Sequence, residues 1–360
     1  MPATDLVDLA RQTMTLCNIC GYCHGYCLVF DQARDRFSLA EGDLTYLANL
    51  CHDCRACHDA CQYAPPHLFQ TDVPATLGAL RTFSYQQYGW PAGIARFFRD
   101  RSYAGLGIVC LAMLVALLAM HIPRHATQGT PGDQPSFYST IPLPIMMLVG
   151  ALPLLWSVTA IAISVAAYWR DIAPADPRPY TARLLLAALA DMLLLRHWGQ
   201  ESHGCPDHTG RMTKQRKYLH WSLVSGLLCC GLATIVAAFY HHILQLTAPY
   251  ALTSVPVLLG VIGGSAILVG ASGMVVVDLR GGTRIVRDRS LAPSLLLVAA
   301  TGLVLLALRG TSALALLLHL HLGAVTGFVL TLPYGHFLHG PFRGAALLRA
   351  ALERRIPIAT

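Results

Sequence analysis

Long apolar runs constrain this chain most, because a membrane-spanning helix needs about 20 mostly apolar residues. Charged residues make up 12% of the chain and apolar residues 54%, which leaves too few charges to coat a soluble protein of this size. The sequence therefore predicts a mainly α-helical protein with a polytopic six-helix transmembrane bundle over residues 101–345 and a cytoplasmic tail over 346–360. The six predicted spans are approximately 103–122, 141–169, 219–246, 254–279, 291–308 and 312–338.

A shorter apolar stretch, Leu184–Leu195, is bracketed by arginines. It is too short to cross a bilayer, so we expect an interfacial helix over about 183–197.

The basic residues predict the orientation. With the N-terminus inside, only Arg124 and Arg309 of the 26 Lys and Arg residues fall in outer loops. This predicts a multi-pass protein of the cytoplasmic (inner) membrane with both termini cytoplasmic. The same asymmetry accounts for the net charge of +7 without a nucleic-acid partner. The segment Met1–Met14 is interrupted by charges, unlike a secretory signal, so we expect residues 1–100 to stay in the cytoplasm.

Two cysteine runs lie within residues 1–100, Cys17–Cys27 and Cys51–Cys61, and both have the spacing C-x2-C-x2-C-x3-C. This spacing is typical of two-cluster ferredoxins, in which the fourth cysteine of each run ligates the other cluster. A zinc site more often uses two separated pairs of ligands. Residues 1–100 are therefore predicted to form an α-helical, ferredoxin-like domain with two 4Fe–4S clusters. The predicted ligands are Cys17, Cys20, Cys23 and Cys61 for one cluster, and Cys51, Cys54, Cys57 and Cys27 for the other.

Histidines within the predicted spans are functional candidates, because an imidazole is costly in hydrocarbon. His220 and His241 lie on the third span, and His321 and His339 share one face of the sixth. These spans run in opposite directions, so His220 meets the level of His339 near the cytoplasm and His241 meets that of His321 near the outer side. The pattern predicts one or two bis-histidine sites for haem b.

Alternatives to these ligands remain open in the sequence. His242 can replace His241, and His319 with His336 forms a weaker competing set. Small residues such as Gly226 and Gly323 are expected to let a porphyrin approach the helices closely.

The chain resembles the family of citrate- and tricarballylate-utilisation membrane iron–sulfur proteins over nearly its whole length. The segments that carry this resemblance are CNICGYCHGYC (17–27), GDLTYLANLCHDCRACHDACQYAPPH (42–67), GLLCCGLATIVAAFYHH (226–242), SVPVLLGVIGG (254–264) and LHLGAVTGFVLTLPYGHFLHG (320–340).

The resemblance implies a role in electron transfer. A separate cytoplasmic FAD-dependent dehydrogenase oxidises tricarballylate or a similar acid, and its electrons pass through the two clusters and haem b to membrane quinone. The family's cluster and haem ligands fall on the eight cysteines and four histidines named above. One departure is His220-Trp221, where the family often has paired histidines.

The chain has no G-x-G-x-x-G fingerprint after a strand, so we expect substrate oxidation to occur on another polypeptide. A transporter or a redox sensor with a ferredoxin-like regulatory domain is the alternative function. The position of the quinone site does not follow from the sequence.

Overall fold

The computed structural model describes residues 3–34, 36, 38–99, 101, 103–120, 137–174, 179–197, 205–206, 211–281 and 289–353. These residues are mainly helical. The cysteine-rich part comprises α1 (Ala3–Cys20), α2 (Leu28–Arg34), α3 (Glu41–Leu50), α4 (Ala56–Asp59), α5 (Val73–Gln87) and α6 (Ala92–Arg99).

The remaining helices form the apolar bundle and the elements at its ends. They are α7 (Ala104–Ala119), α8 (Phe137–Thr140), α9 (Leu143–Ile172), α10 (Ala182–Leu193), α11 (Gln215–His242), α12 (Val255–Gly281), α13 (Leu291–Leu308), α14 (Leu314–Thr331) and α15 (His339–Glu353). A two-stranded antiparallel ribbon, β1 (Cys205–Pro206) with β2 (Met212–Thr213), precedes α11. Helix α11 packs on α12, α12 on α13, α13 on α14, and α14 on α7.

Five described helices are long and apolar enough to cross a membrane: α9, α11, α12, α13 and α14. The chain is therefore a membrane protein by the length and composition of its helices. Helix α7 is apolar but has only 16 residues, so the first predicted span, 103–122, stays a prediction. Helix α10 has 12 residues, about 18 Å at 1.5 Å per residue, which is shorter than a hydrocarbon core of about 30 Å.

The last predicted span, 312–338, is longer than the helix observed. Helix α14 ends at Thr331, two residues before Pro333, which lacks an N–H and cannot continue the hydrogen-bond ladder. The chain then turns through a short 3₁₀ segment, His336–Leu338, and begins α15 at His339. His321 and His339 thus lie on different helices, and the prediction that they share one face of a single span is wrong.

The cysteine-rich part and one end of the bundle share one hydrophobic core. Tyr168 at the end of α9 is fully buried and stacks on Phe342 of α15, with ring centres 4.6 Å apart. Phe342 also packs edge-on against Tyr85 of α5. The predicted cytoplasmic tail therefore begins inside α15, a helix whose apolar face is buried against the cysteine-rich part.

An ion-pair network fixes the end of α15 to α3. Asp43 accepts hydrogen bonds from Arg36 at 3.2 Å and from Arg349 at 2.7 Å. Both arginines also pair with Glu353 and lie over the ring of Tyr46. These groups are largely buried, so removing one partner would leave an uncompensated charge at the contact between α15 and α3.

Glycines bring α11 and α12 into backbone contact. A Cβ at Gly226 would lie 2.7 Å from the carbonyl oxygen of Gly263, and one at Gly263 would lie 2.8 Å from that of Gly226. Gly323 of α14 faces the backbone of Met113 of α7 in the same way. The expectation that Gly226 and Gly323 make room for a porphyrin is wrong, because both positions are filled by a neighbouring helix.

Replacing Gly226 with alanine is expected to destabilise the bundle by about 1–3 kcal/mol, because the new methyl group meets rigid backbone atoms of α12. A methyl group added at Gly231 of the same helix would have no neighbouring atom within 4 Å, so Gly231→Ala is the matched control. Thermal unfolding in detergent measures the stability of both variants. Equal melting temperatures for the two variants would contradict this packing.

Candidate redox centre

The first thiol set combines three cysteines of one run with the last cysteine of the other. Cys17 lies beside Cys20, Cys23 and Cys61. Burial and these neighbouring thiols raise the pKa of Cys17 to about 12, and burial with Cys61 and Cys20 raises the pKa of Cys23 to about 11.

The second thiol set combines the first three cysteines of the second run with the last cysteine of the first run. Cys57 lies beside Cys51, Cys27 and Cys54. Burial, with the neighbouring thiol of Cys51, raises the pKa of Cys27 to about 12. Burial also raises the pKa of Cys51 to about 11, against the opposing effect of the positive charge of Arg81. All four cysteines line one pocket with an empty volume of about 520 Å³, which includes space open to solvent. The structure thus brings the last cysteine of each run to the first three of the other.

Backbone conformation lets each run turn back on itself. The residue after the second cysteine has a positive φ in both runs: 67° at Gly21 and 62° at Arg55. Glycine adopts this left-handed conformation readily, whereas a residue with a Cβ does so at some cost. The same turn at corresponding positions explains how two runs with one spacing present their thiols in the same way.

These sets fit iron–sulfur clusters by their chemistry. The thiols of Cys17, Cys23, Cys27 and Cys51, whose pKa values are raised by burial, stay protonated on their own, whereas a bound metal centre would hold its thiols as thiolates. Among the described residues, no three His, Cys, Asp or Glu side chains meet the geometry of a site for a single metal ion. Cys23 of the first set also lies beside Cys57 of the second, so the two sets are adjacent.

Two buried arginines converge on the backbone next to the second set. Arg81 of α5 donates a hydrogen bond to the carbonyl of Cys51, and Arg343 of α15 donates to that of Leu50 at 2.7 Å. Burial and the nearby charge of Arg81 lower the pKa of Arg343 to about 9. Two like charges this close together are costly without an anion, and a cluster held by the four thiolates would supply negative charge at this place.

Sequence reasoning missed these arginines. Cys51 and Arg343 are 292 positions apart, and only the docking of α15 on the cysteine-rich part brings them together. No local pattern marks either arginine as buried.

The inner pair of predicted haem ligands meets at the junction between the bundle and the cysteine-rich part. The ring centres of His220 and His339 are 6.0 Å apart. Two imidazoles at this separation would be able to hold one metal centre between them, with nitrogen–metal bonds of about 2 Å. His52, which follows Cys51, lies near His220, and burial with the charges of Arg343 and Arg81 lowers its pKa well below the usual value.

Hydrogen bonding at His339 also suits a metal ligand. Its Nδ1 donates to the carbonyl oxygen of His336 at 2.6 Å, which leaves the Nε2 lone pair available. Ligating histidines commonly donate their other ring N–H to a carbonyl in this manner. The residues of the inner pair therefore fit haem b.

The structure gives the outer pair, His241 and His321, different partners. His241 lies against Tyr138, with Nδ1 and the phenol oxygen 3.3 Å apart, and beside the ring of His242. His321 faces α13, and its Nδ1 lies 3.1 Å from the hydroxyl oxygen of Thr301. The two histidines are therefore not in the mutual contact seen for the inner pair.

The two histidines of the competing set, His319 and His336, also have different surroundings. His319 is buried, its Nδ1 donates to the carbonyl of Ala315 at 2.7 Å, and its Nε2 has no hydrogen-bond partner among the described residues. His336 instead stacks on His339 with ring centres 4.9 Å apart. His336 thus belongs to the inner cluster of histidines, whereas His319 lies within α14.

Comparison with known proteins identifies the family. Residues 100–360 match the family model for citrate utilization protein B, and residues 10–87 match its Fer4-like domain. Citrate utilization protein B of Escherichia coli is 36% identical over 354 residues, which cover 96% of this chain and 92% of that protein. No solved structure matches the chain. The chain belongs to the citrate utilization protein B family.

Proposed function

We propose that this membrane protein reoxidises a cytoplasmic FAD-dependent dehydrogenase of tricarballylate or a citrate-like acid. In this proposal, electrons pass through two 4Fe–4S clusters and haem b to the quinone pool. The observation that carries the proposal is the unbroken succession of candidate sites: the first thiol set adjoins the second at Cys23 and Cys57, and His52 lies near His220 of the inner pair.

The eight cysteines would hold the clusters, and the groups around the cysteines would set the reduction potentials of the clusters. The clusters and haem supply one-electron oxidation and reduction when bound. The backbone N–H of Asp53 donates to the sulfur of Cys51 at 3.4 Å, and the amide of Gln62 donates to that of Cys20 at 3.8 Å. Such hydrogen bonds, together with the charges of Arg81 and Arg343, favour the reduced and more negative state.

The histidines would hold haem at the inner end of the bundle and, in a second site, toward its outer side. His220 and His339 are the proposed inner ligands, and His241 and His321 the outer ones. His336, which stacks on His339 of the inner pair, lies against Tyr85 of the cysteine-rich part, with ring centres 6.4 Å apart. With that part in the cytoplasm, as the basic residues predict, electrons enter from a soluble partner.

The organic acid is assigned from the family. The Escherichia coli relative is named for citrate utilization. Tricarballylate, a citrate-like acid, remains part of the proposal. Since the acid would be oxidised on the partner, this chain requires only a surface on which the partner's reduced flavin approaches the first thiol set.

Electron transfer in proteoliposomes tests the proposal. Purified protein is reconstituted with a membrane quinone, and a reduced flavin is added from outside under anaerobic conditions. We expect quinol to form only when the protein is present, and the rate to fall to background in a Cys54→Ala variant. Quinol formation that is equally fast in this variant would contradict transfer through the thiol sets.

A further inference from the structure

A second pocket lies at the inner end of the bundle and has no role in the sites described above. It lies where α7 and α13 begin and α14 ends, and α6 closes one side. Its empty volume is about 300 Å³. That volume includes space open to solvent, so the pocket is an open cleft; binding sites for small ligands are typically apolar clefts with a few polar groups.

The walls of this pocket are aromatic and apolar, with polar groups from two different elements. Phe98, Phe328 and Phe337 contribute rings, while Ser294 of α13 and His336 of the 3₁₀ segment contribute hydrogen-bonding groups. Ser294 is 2% exposed, and its hydroxyl has no hydrogen-bond partner among the described residues. A buried hydroxyl without a partner costs free energy, which a ligand that accepts its hydrogen bond would recover.

The pocket also adjoins the inner histidine pair. His336, which lines it, stacks on His339 with ring centres 4.9 Å apart and an interplanar angle of 25°. A ligand in the pocket would therefore be separated from the proposed inner haem ligands by a single side chain.

We propose that this pocket binds the head group of a membrane quinone. A quinone is a flat, apolar ring with carbonyl oxygens on opposite edges, so it matches aromatic walls with donors on two elements. A lipid acyl chain would fill the apolar space but would leave the hydroxyl of Ser294 without a partner. The proposal rests on the proposed function, because it places the electron acceptor of that function at a named site.

Photolabelling of the intact protein in nanodiscs with a short-chain azidoquinone tests the site. We expect label within residues 290–294 or 331–337, and competition by the unmodified quinone. Ser294→Leu should lower labelling at least about tenfold by filling the pocket, and Ser294→Ala about three- to tenfold by removing one hydrogen bond. Ser265→Leu, at an exposed position of α12, is the matched control and should label normally. Unchanged iron and haem contents show that each variant is folded.

The outcomes separate this inference from the proposed function. Competable label elsewhere, with no change in Ser294→Leu, would overturn the pocket while quinone reduction stands. Label at the pocket that unmodified quinone does not displace would also overturn it, because the space would then hold lipid non-specifically. Absence of any competable label, together with absence of quinol formation in proteoliposomes, would overturn the proposed function itself.

Discussion

Replacing Cys54 with alanine is expected to halve the iron content of the purified protein, from about eight to about four irons per chain. Cys54 lines the pocket of the second thiol set but does not belong to the first set. The first set should therefore keep its cluster, while electron flow to quinone should cease. Iron and acid-labile sulfide, counted in the anaerobically purified protein, measure the change.

Cys110→Ala is the matched control for this variant. Cys110 lies on α7 and is exposed, outside both thiol sets. Its replacement should leave iron, sulfide and quinone reduction at the levels of the unmodified protein. A Cys54→Ala protein that retains about eight irons would contradict the assignment of the second set.

Replacing His339 with alanine is expected to remove one haem b per chain. His339 is the member of the inner pair whose Nδ1 is fixed by a carbonyl and whose Nε2 is left for a ligand bond. If the outer pair also binds haem, the content should fall from two to one; otherwise the haem band should vanish. The pyridine haemochrome absorbance per chain measures this directly.

A histidine of the cysteine-rich part supplies the control. His67 packs against Tyr63 and Phe69, away from the inner pair, so His67→Ala should retain the full haem content. The same assay on His321→Ala tells whether the outer pair holds haem. An unchanged haem content in His339→Ala would refute the inner site.

Local patterns in the sequence predicted much of the architecture. The predicted span 291–308 coincides with α13, and the third and fourth predicted spans overlap α11 and α12 with differences of a few residues at their ends. The length of an apolar run is almost sufficient by itself to predict such a membrane-spanning helix. The repeated cysteine spacing predicted the two ligand sets, which stay a prediction, and the structure places the thiols of each set side by side.

Features that depend on distant contacts were not predictable. The apolar run continues to residue 338, so hydropathy alone does not predict that the helix ends at Thr331. The helix ends there because Pro333 lacks an N–H, which hydropathy does not take into account. The burial of α15, and with it the convergence of Arg81 and Arg343 beside Cys51, arises only from tertiary packing. The same packing, which holds His220 against His339, determined where the candidate redox groups meet.

A reduced-minus-oxidised spectrum of the anaerobically purified protein, with iron and sulfide counted in the same sample, tests the central claim most directly. We expect about eight cluster irons per chain, a matching amount of sulfide, and a haem b band. Cluster iron without any haem b band would contradict the account, because the inner histidines would then hold no redox group between the thiol sets and the membrane quinone.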